Sequence, residues 1–542
     1  MTVMERPRRW YGRVPVIGGL LEEALRPEEI TYRRFGDGED RPRRIRAQAL
    51  VLLTVVTGGV YIGWVATAIN PAHLLMGIAF LLSESACLVL FTIGGSSLWR
   101  LRFKPRRSPV PEKAYAIDVL VPVCGEPIEV ITTTLEAVTR IRWSGPLAVH
   151  VLDDGGSADV EAVVRRLGFA YHSRPRDGVA KDDAKAGNMN FGLARSHGDL
   201  VLVLDADQVP HPDILESLAG YFRFERLAFV QSRQSYLVAE GDPLFNEDRV
   251  FYGAVQLAMD AHDTVISCGS GVLYRRAALE DIGGFATWNL VEDLTTSYHL
   301  HAKGWKSFYY PYPLSEGLAP EDVWGVYRQR GQWALDTMRL FFWDNPLVKR
   351  GLPWRKRLNY FLIGFTYLTV GFAVPFLFVV PPWTYVTGQE VLLCSAVHFA
   401  IARGVYFGAM AWALRYLARG EQPGRQFQML VGFFPIYLMG TLRALRWRRG
   451  KPGYRPNNAG KRRRRPAVLA VLPQVVLIAA NLFLPLYAAL AHTTSARVIA
   501  VNALVSAVAI WTLWSALDAA LGRHRWAPRR HPLEFYGRSK VA

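Results

Sequence analysis

The sequence predicts an α/β domain inserted in a bundle of about six membrane-spanning helices. Three observations carry that prediction. Strand-like apolar runs alternate with helical patterns between residues 117 and 204. Two of these runs end in paired carboxylates, Asp153-Asp154-Gly155-Gly156 and Asp205-Ala206-Asp207. Long apolar runs flank the region, two before it and four after it.

Residues 1–46 are charged and punctuated by Pro and Gly, which reads as a basic cytoplasmic leader. They lack the apolar core that a cleavable signal peptide needs. Runs 47–69 and 72–95, separated by Asn70-Pro71, are long enough to cross a ~30 Å hydrocarbon layer and place two transmembrane helices in 47–98. A basic linker at 99–116 leads into strand 117–123. Helix 128–139, strand 147–152, helix 158–167 and a strand near 200–204 follow, the pattern of a parallel, Rossmann-like sheet. Residues 243–265 read as mostly helical, 293–303 as a helix headed by Asp293, and 329–344 as an amphipathic helix approaching the membrane. The domain so defined spans 99–346.

Residues 347–465 hold spans 360–383 and 391–417 and the short apolar stretch 428–442. That stretch carries Gln428 and Pro435 and reads as one helix lying in the interface. Spans 467–491 and 497–520 occupy 466–522, and 523–542 is a basic cytoplasmic tail too short for a soluble regulatory domain.

A chain of 542 residues that is 51% hydrophobic exceeds one ordinary soluble domain. Its net charge of +18 sits in arginine clusters at 42–46, 100–107, 443–455, 461–465 and 523–530, each beside an apolar run. That is the positive-inside pattern, so these segments and the central domain are expected in the cytoplasm. Loops 384–390 and 492–496 are nearly free of basic residues and are expected outside. No aromatic-interleaved basic stripe appears, so nucleic acid is not an expected partner. Cys87 and Cys394 fall in apolar runs and Cys124 and Cys268 near strand ends, without a C-x-x-C pair, so free thiols are expected.

Carboxylates at strand ends stand at the carboxyl edge of an α/β sheet, where ligands bind. Two acids one residue apart can hold a hard divalent cation against a diphosphate. Asp153-Asp154-Gly155-Gly156 is also turn chemistry, and both readings can hold together. Further on come Val291-Glu292-Asp293 and Gln329-Arg330-Gly331-Gln332-Trp333, giving three acidic stations closed by a Q-R-x-x-W segment.

These stations have ordered company: Pro122-Val123-Cys124-Gly125-Glu126-Pro127, Ala184-Lys185-Ala186-Gly187-Asn188, Phe229-Val230-Gln231-Ser232, Cys268-Gly269-Ser270, Gly304-Trp305-Lys306-Ser307 and Asp344-Asn345-Pro346. From about Asp118 to Pro346 the chain resembles a processive family 2 glycosyltransferase, specifically the catalytic subunit of bacterial cellulose synthase. The resemblance implies a GT-A fold and an inverting synthase that elongates a β-glucan, 1,4- or 1,3-linked, from UDP-glucose and passes it out through its membrane channel. It implies Asp207 as ligand of Mg2+ or Mn2+, and Asp153, Asp154, Lys185, Asp205 and Arg330 as donor-binding residues. Asp293 would be the general base, and Gln329, Trp333 and Cys268 would meet the acceptor. Expected partners are a nucleotide-sugar donor, the growing polysaccharide, membrane lipid and accessory export subunits. The expected location is the bacterial inner membrane, multi-pass, with the catalytic domain in the cytoplasm.

Each assignment has a plainer counterpart. Asp293 suits a helix N-cap, Trp333 an interfacial anchor, and Lys185 a solvated loop. Two departures stand out. Gln332 replaces the family arginine before the tryptophan, and a neutral amide cannot supply a bidentate cation, so either Arg330 or Arg328 would substitute or the donor chemistry differs from that of cellulose synthase. Cys124 replaces a family tyrosine that stacks on uracil. The family gating loop falls by position at Gly453–Lys461, with little shared text. Glu84, His398 and Arg403 lie in predicted spans, where ionisable groups are functional or paired. Two other functions compete: a single transfer to a lipid or short glycan, and a transporter or scaffold with a dead transferase domain. The intact acidic stations oppose the last.

Overall fold

The computed structural model describes residues 40–101, 110–448, 450 and 466–522. The leader up to residue 39, the gating-loop counterpart 453–461 and the basic tail lie outside the described residues.

Among the described residues, eight strands form one sheet: β1 (Ile117–Val123), β2 (Leu147–Asp153), β3 (Ala170–His172), β4 (Leu200–Val203), β5 (Gln208–Pro210), β6 (Leu227–Leu237), β7 (Val272–Arg275) and β8 (Lys306–Leu318). Their order is β3-β2-β1-β4-β7-β6-β8-β5. Strand side chains alternate between faces, and β1 shows it. Val119 and Val121 pack with Ile131, Leu135, Val164 and Ile214 on one side, and Leu120 packs with Met189, Leu193 and Leu279 on the other.

The β3-β2-β1-β4 half is parallel, as the alternating pattern predicts. The other half is not. β7 runs antiparallel to both β4 and β6, β6 is parallel to β8, and β5 is antiparallel to β8. Chain length explains part of this: only residues 204–207 separate β4 from β5. A parallel crossover needs about a dozen residues or more, so the chain turns to the far edge instead.

Among the described residues, six helices are long and apolar enough to cross a membrane: Pro42–Ala68, Pro71–Leu98, Trp354–Thr387, Ala396–Leu417, Ala467–Leu490 and Ala496–Leu521. The fourth starts at Ala396, where the Ser395 hydroxyl accepts the His398 N–H at 3.1 Å. Cys394 therefore lies in the preceding loop, not in a span. All four cysteines are free thiols. Glu84 is wholly buried and pairs with Arg403 at 2.8 Å, with the Tyr61 hydroxyl donating to the same carboxylate at 3.3 Å. His398 is exposed. The single interfacial helix expected at 428–442 is two helices, Pro423–Gly432 and Phe434–Arg446, bent by 51°. Pro435 stands in the first turn of the second, where its missing N–H costs nothing but the preceding helix cannot run through it.

Between the sheet and this bundle lies the helix Val323–Trp343, capped by the Asp322 carboxylate accepting the Gly325 N–H at 2.7 Å. It crosses the helix Phe434–Arg446 so closely that a Cβ on Gly440 would come within 2.6 Å of the Ala334 Cβ.

Candidate active site

The site is built where β4 ends. The Gly271 N–H donates to the Val203 carbonyl at 3.0 Å, and the Ser270 hydroxyl accepts the Asp205 N–H at 2.9 Å. These bonds lay the Cys268-Gly269-Ser270 segment against the D-x-D turn. Lys185, from the helix Ala184–Leu193, reaches the same point. Its Nζ lies 2.6 Å from Asp205 Oδ1 and 3.3 Å from Glu292 Oε1, and donates to the Gly269 carbonyl at 2.8 Å. Burial disfavours that charge, but Asp205 and Glu292 outweigh it and hold the ammonium well above the usual lysine range. A solvated loop lysine does not describe Lys185.

Gly269 has φ +77°, and a Cβ there would stand 3.1 Å from Lys185 Nζ, 3.3 Å from Asp293 Oδ2 and 3.7 Å from Glu292 Oε1. Lys185, Asp205, Glu292 and Asp293 thus converge around one glycine. The helix Glu292–Ala302 has Val291 in the capping position, so Asp293 is not the N-cap. Burial first, and then the charge of Glu292, pushes the Asp293 carboxyl up. That direction suits a proton acceptor, whose affinity must lie near the working pH.

Asp207 is pushed up to about 7 by burial, then by the charges of Asp205 and Glu126. Glu126 is a residue the motif reading did not single out, although it sits within Pro122–Pro127. Its carboxylate accepts the Cys124 N–H at 2.6 Å. Its signal was an acid in a glycine-proline turn directly after β1, at the same sheet edge as the other stations. Cys268 is held by glutamines: its N–H donates to Gln231 Oε1 at 2.7 Å and its carbonyl accepts from Gln234 at 2.9 Å.

The structure gives three expected donor residues other partners. Asp153 accepts from the Gly155 and Ser157 amides, both at 2.7 Å, and from the Tyr171 hydroxyl at 2.8 Å. Asp154 is buried against Arg174, at 2.8 and 2.5 Å. Arg174 also donates to the Asp182 and Ala184 carbonyls at 2.6 and 3.0 Å. The pair therefore fixes the loop that delivers Lys185. Arg330 likewise has partners of its own. It is 5% exposed and donates to the Phe245 carbonyl at 2.5 Å, beside Asp248 and Tyr437. Helical phase explains it, because Arg330 shares its stripe with Ala334, which faces Gly440.

Gln329, Gln332, Trp333 and Asp336 share another stripe, spaced i, i+3, i+4, i+7. Asp336 Oδ2 accepts the Val291 N–H at 2.7 Å, two residues before Asp293. Gln329, Gln332 and Trp333 are each part-exposed. The stripe carrying the tryptophan is thus tied to the segment that carries Asp293.

Residues 200–413 match the family model described as glycosyl transferase family group 2. The cellulose synthase catalytic subunit [UDP-forming] of Xanthomonas axonopodis pv. citri is 32% identical over 305 residues, covering 54% of this chain and 41% of that one. Its counterpart in Pseudomonas fluorescens is 31% identical over 341 residues, covering 59% and 45%. The match thus spans less than half the length of these relatives. Among solved structures, a mannosyltransferase from Pyrobaculum calidifontis in complex with GDP-mannose and Mn2+ superposes with a TM-score of 0.50 at 17% identity, covering 68% of this chain and 99% of that one. At that identity the likeness concerns the fold.

Fold and family match together define the class: residues 200–413 match a family 2 glycosyltransferase model within a sheet of GT-A-like fold, and the described residues also hold six helices long and apolar enough to cross a membrane. Within that class its sequence resembles the catalytic subunits of bacterial cellulose synthases.

Proposed function

We propose that the protein is an inverting, UDP-sugar-dependent synthase that elongates a β-glucan, 1,4- or 1,3-linked, from UDP-glucose and passes it outward between its membrane helices. The observation that carries this reading is the convergence of Lys185, Asp205, Glu292 and Asp293 around Gly269, beside a tryptophan-bearing helix that leads into the bundle. The arginine-flanked apolar runs support a cytoplasmic catalytic domain in a bacterial inner membrane.

In this reaction Asp293 accepts the proton of the acceptor hydroxyl. The oxygen so freed bonds to C1 of the donor sugar from the face opposite the diphosphate. The bond from C1 to the diphosphate oxygen breaks, its electron pair leaves on UDP, and the configuration at C1 inverts. Trp333 offers a flat apolar face for the acceptor ring. Lys185 supplies a fixed positive charge beside Asp205, where the diphosphate must lie.

Asp207, with Asp205, fits a divalent cation: the crowded carboxylates of Asp205, Asp207 and Glu126 raise the Asp207 affinity for a proton, and Mg2+ or Mn2+ would relieve that repulsion. Among the described residues no three His, Cys, Asp or Glu groups come close enough to hold an ion by themselves, so the donor diphosphate would share it. When bound, the cation neutralises charge on the departing diphosphate. Asp207→Ala is expected to remove both activity and its dependence on Mg2+ or Mn2+; full wild-type activity in EDTA would refute the metal role.

The test of the whole reading is UDP release by the purified protein with several nucleotide sugars, followed by linkage-specific glycanase digestion of the product. Turnover of UDP-glucose to a digestible polymer supports it. A single-sugar adduct would favour transfer to a lipid or short glycan instead. That second reading has one observation behind it: Gln332 is neutral, and Arg330 is turned to the Phe245 carbonyl.

A further inference from the structure

The helix Val323–Trp343 carries a buried charge, Arg339, outside the acidic stations and the tryptophan stripe. Arg339 is wholly buried. It donates from Nη1 to the Trp288 carbonyl at 2.9 Å and to Asn289 Oδ1 at 2.8 Å. From Nε it donates to the Trp447 carbonyl at 2.9 Å, and from Nη2 to the Gly450 carbonyl at 3.0 Å. Its guanidinium carbon stands 4.6 Å from the Trp288 ring centre, and Asp336 Oδ1 lies 3.8 Å from Nη1. One planar fork therefore gathers three segments: its own helix Val323–Trp343, the turn before Asp293, and the stretch that follows the helix Phe434–Arg446.

Asp336 works on the same joint. Its carboxylate accepts the Val291 N–H, and its carbonyl accepts from Asn289 Nδ2 at 3.3 Å. Asn289 Nδ2 also donates to Thr295 Oγ1 at 2.9 Å, within the helix that Glu292 and Asp293 begin. A buried guanidinium is a poor way to gain stability, since desolvation consumes most of the attraction. Four directed hydrogen bonds fix relative position instead, and a guanidinium presents its donors in a rigid plane.

We propose that Arg339, with Asp336, is a positioning residue for the acceptor base, holding the 288–291 turn so that Asp293 stands correctly against the donor. This inference rests on the glycosyl-transfer reading above. Lys185, Asp205 and Asp207 come from other elements that Arg339 does not touch. Its loss therefore reaches the rate of transfer and spares the donor's binding.

The test uses the full chain in detergent with Mn2+ and UDP-glucose, comparing wild type, Arg339→Met and Arg339→Lys. In the methionine variant kcat for UDP release is expected to fall by roughly 10- to 100-fold, the scale of a misplacement near 1 Å. Donor KM and UDP binding should stay within about twofold, the signature of an interaction that matters only in the transition state. Lysine keeps the charge but offers one nitrogen, so it should restore part of kcat. An unchanged kcat in the methionine variant overturns the proposal. So does a parallel loss of UDP binding, thermal stability and kcat that lysine does not relieve. Should the methionine variant fail to fold, Asp336→Asn decides. It keeps an oxygen for the Val291 N–H but loses the counter-charge, and an unchanged kcat again overturns the proposal. A wild type inactive on every nucleotide sugar would instead sink the glycosyl-transfer reading, and this inference with it.

Discussion

Gly269 is where the site's chemistry and its backbone meet. At φ +77° any side chain is strained, and a Cβ would press on Lys185 Nζ and Asp293 Oδ2 together. Gly269→Ala should cost ~1–2 kcal/mol in backbone strain and slow transfer further by displacing Lys185 or Asp293. UDP release alongside thermal unfolding separates the two effects, and a fully active alanine variant would contradict the convergence of Lys185 and Asp293 on Gly269. Asp293→Asn removes only the proton acceptor. It should lower UDP release ~10²–10⁴-fold while UDP binding persists, and near-normal turnover would end the assignment of Asp293 as base. Local sequence made Lys185, Asp205 and Asp293 legible because each sits in a short motif on a strand or helix end. The partner of Asp154 was not, since Arg174 lies 20 residues away. The contacts of Arg330 were not legible for another reason: a motif fixes spacing along the chain, and only the packing of the helix against Gly440 fixes where each stripe lies.

Among the elements, strands of four to seven apolar residues bounded by turns were readable, and β1, β2 and β4 match their expected ranges to within one residue. β3 and β5 are three residues each, too short to show alternation. β8 carries Pro311 and Pro313, which argue against a strand, and it is accommodated through register shifts against β6. Strand direction was not legible at all beyond β4, because an apolar run has no sense of parallel or antiparallel. The start of β1 carries its own electrostatic device. Asp118 is buried, which would raise its carboxyl, but hydrogen bonds from His150 and the Gly198 amide and the charges of His150 and Arg276 lower it to about 2. A folded value below the unfolded ~3.9 means that its stabilisation is complete above about pH 4 and is lost as pH falls toward 2. Asp118→Asn should therefore be less stable than wild type at neutral pH, with the gap closing between pH 4 and 2. Chemical unfolding at several pH values measures that gap, and a gap independent of pH would mean that Asp118 contributes only through its shape.

On the scale of the molecule, one loop stands out among the contacts that seat the sheet domain on the helices. Leu244 and Phe245 enter the apolar cluster that holds Phe433, Tyr437 and Val326, and the Phe245 ring meets Phe433 edge-on at 6.2 Å. Arg425 donates to the Gly241 and Asp242 carbonyls at 3.1 and 3.0 Å and lies 4.3 Å from the Phe245 ring centre. Arg330 takes the Phe245 carbonyl. Asp242, Phe245 and Asp248 all have positive φ, at 45°, 56° and 39°. A left-handed phenylalanine is unfavourable by itself, so its ring must contribute more through burial than its backbone costs. Two substitutions separate these terms. Phe245→Ala removes the ring and keeps the strained Cβ, for a loss of ~3–5 kcal/mol. Phe245→Gly removes the ring and also the left-handed penalty of ~1–2 kcal/mol, against an extra chain-entropy cost of ~0.5–1 kcal/mol. Both variants should unfold earlier in detergent than wild type, and the glycine variant should be the more stable of the two. Because the same loop braces the helix that bears Trp333, both should also lose UDP release while UDP binding in the separate Lys185–Asp205 region survives. A glycine variant less stable than the alanine variant would show that the turn at 245 is unstrained.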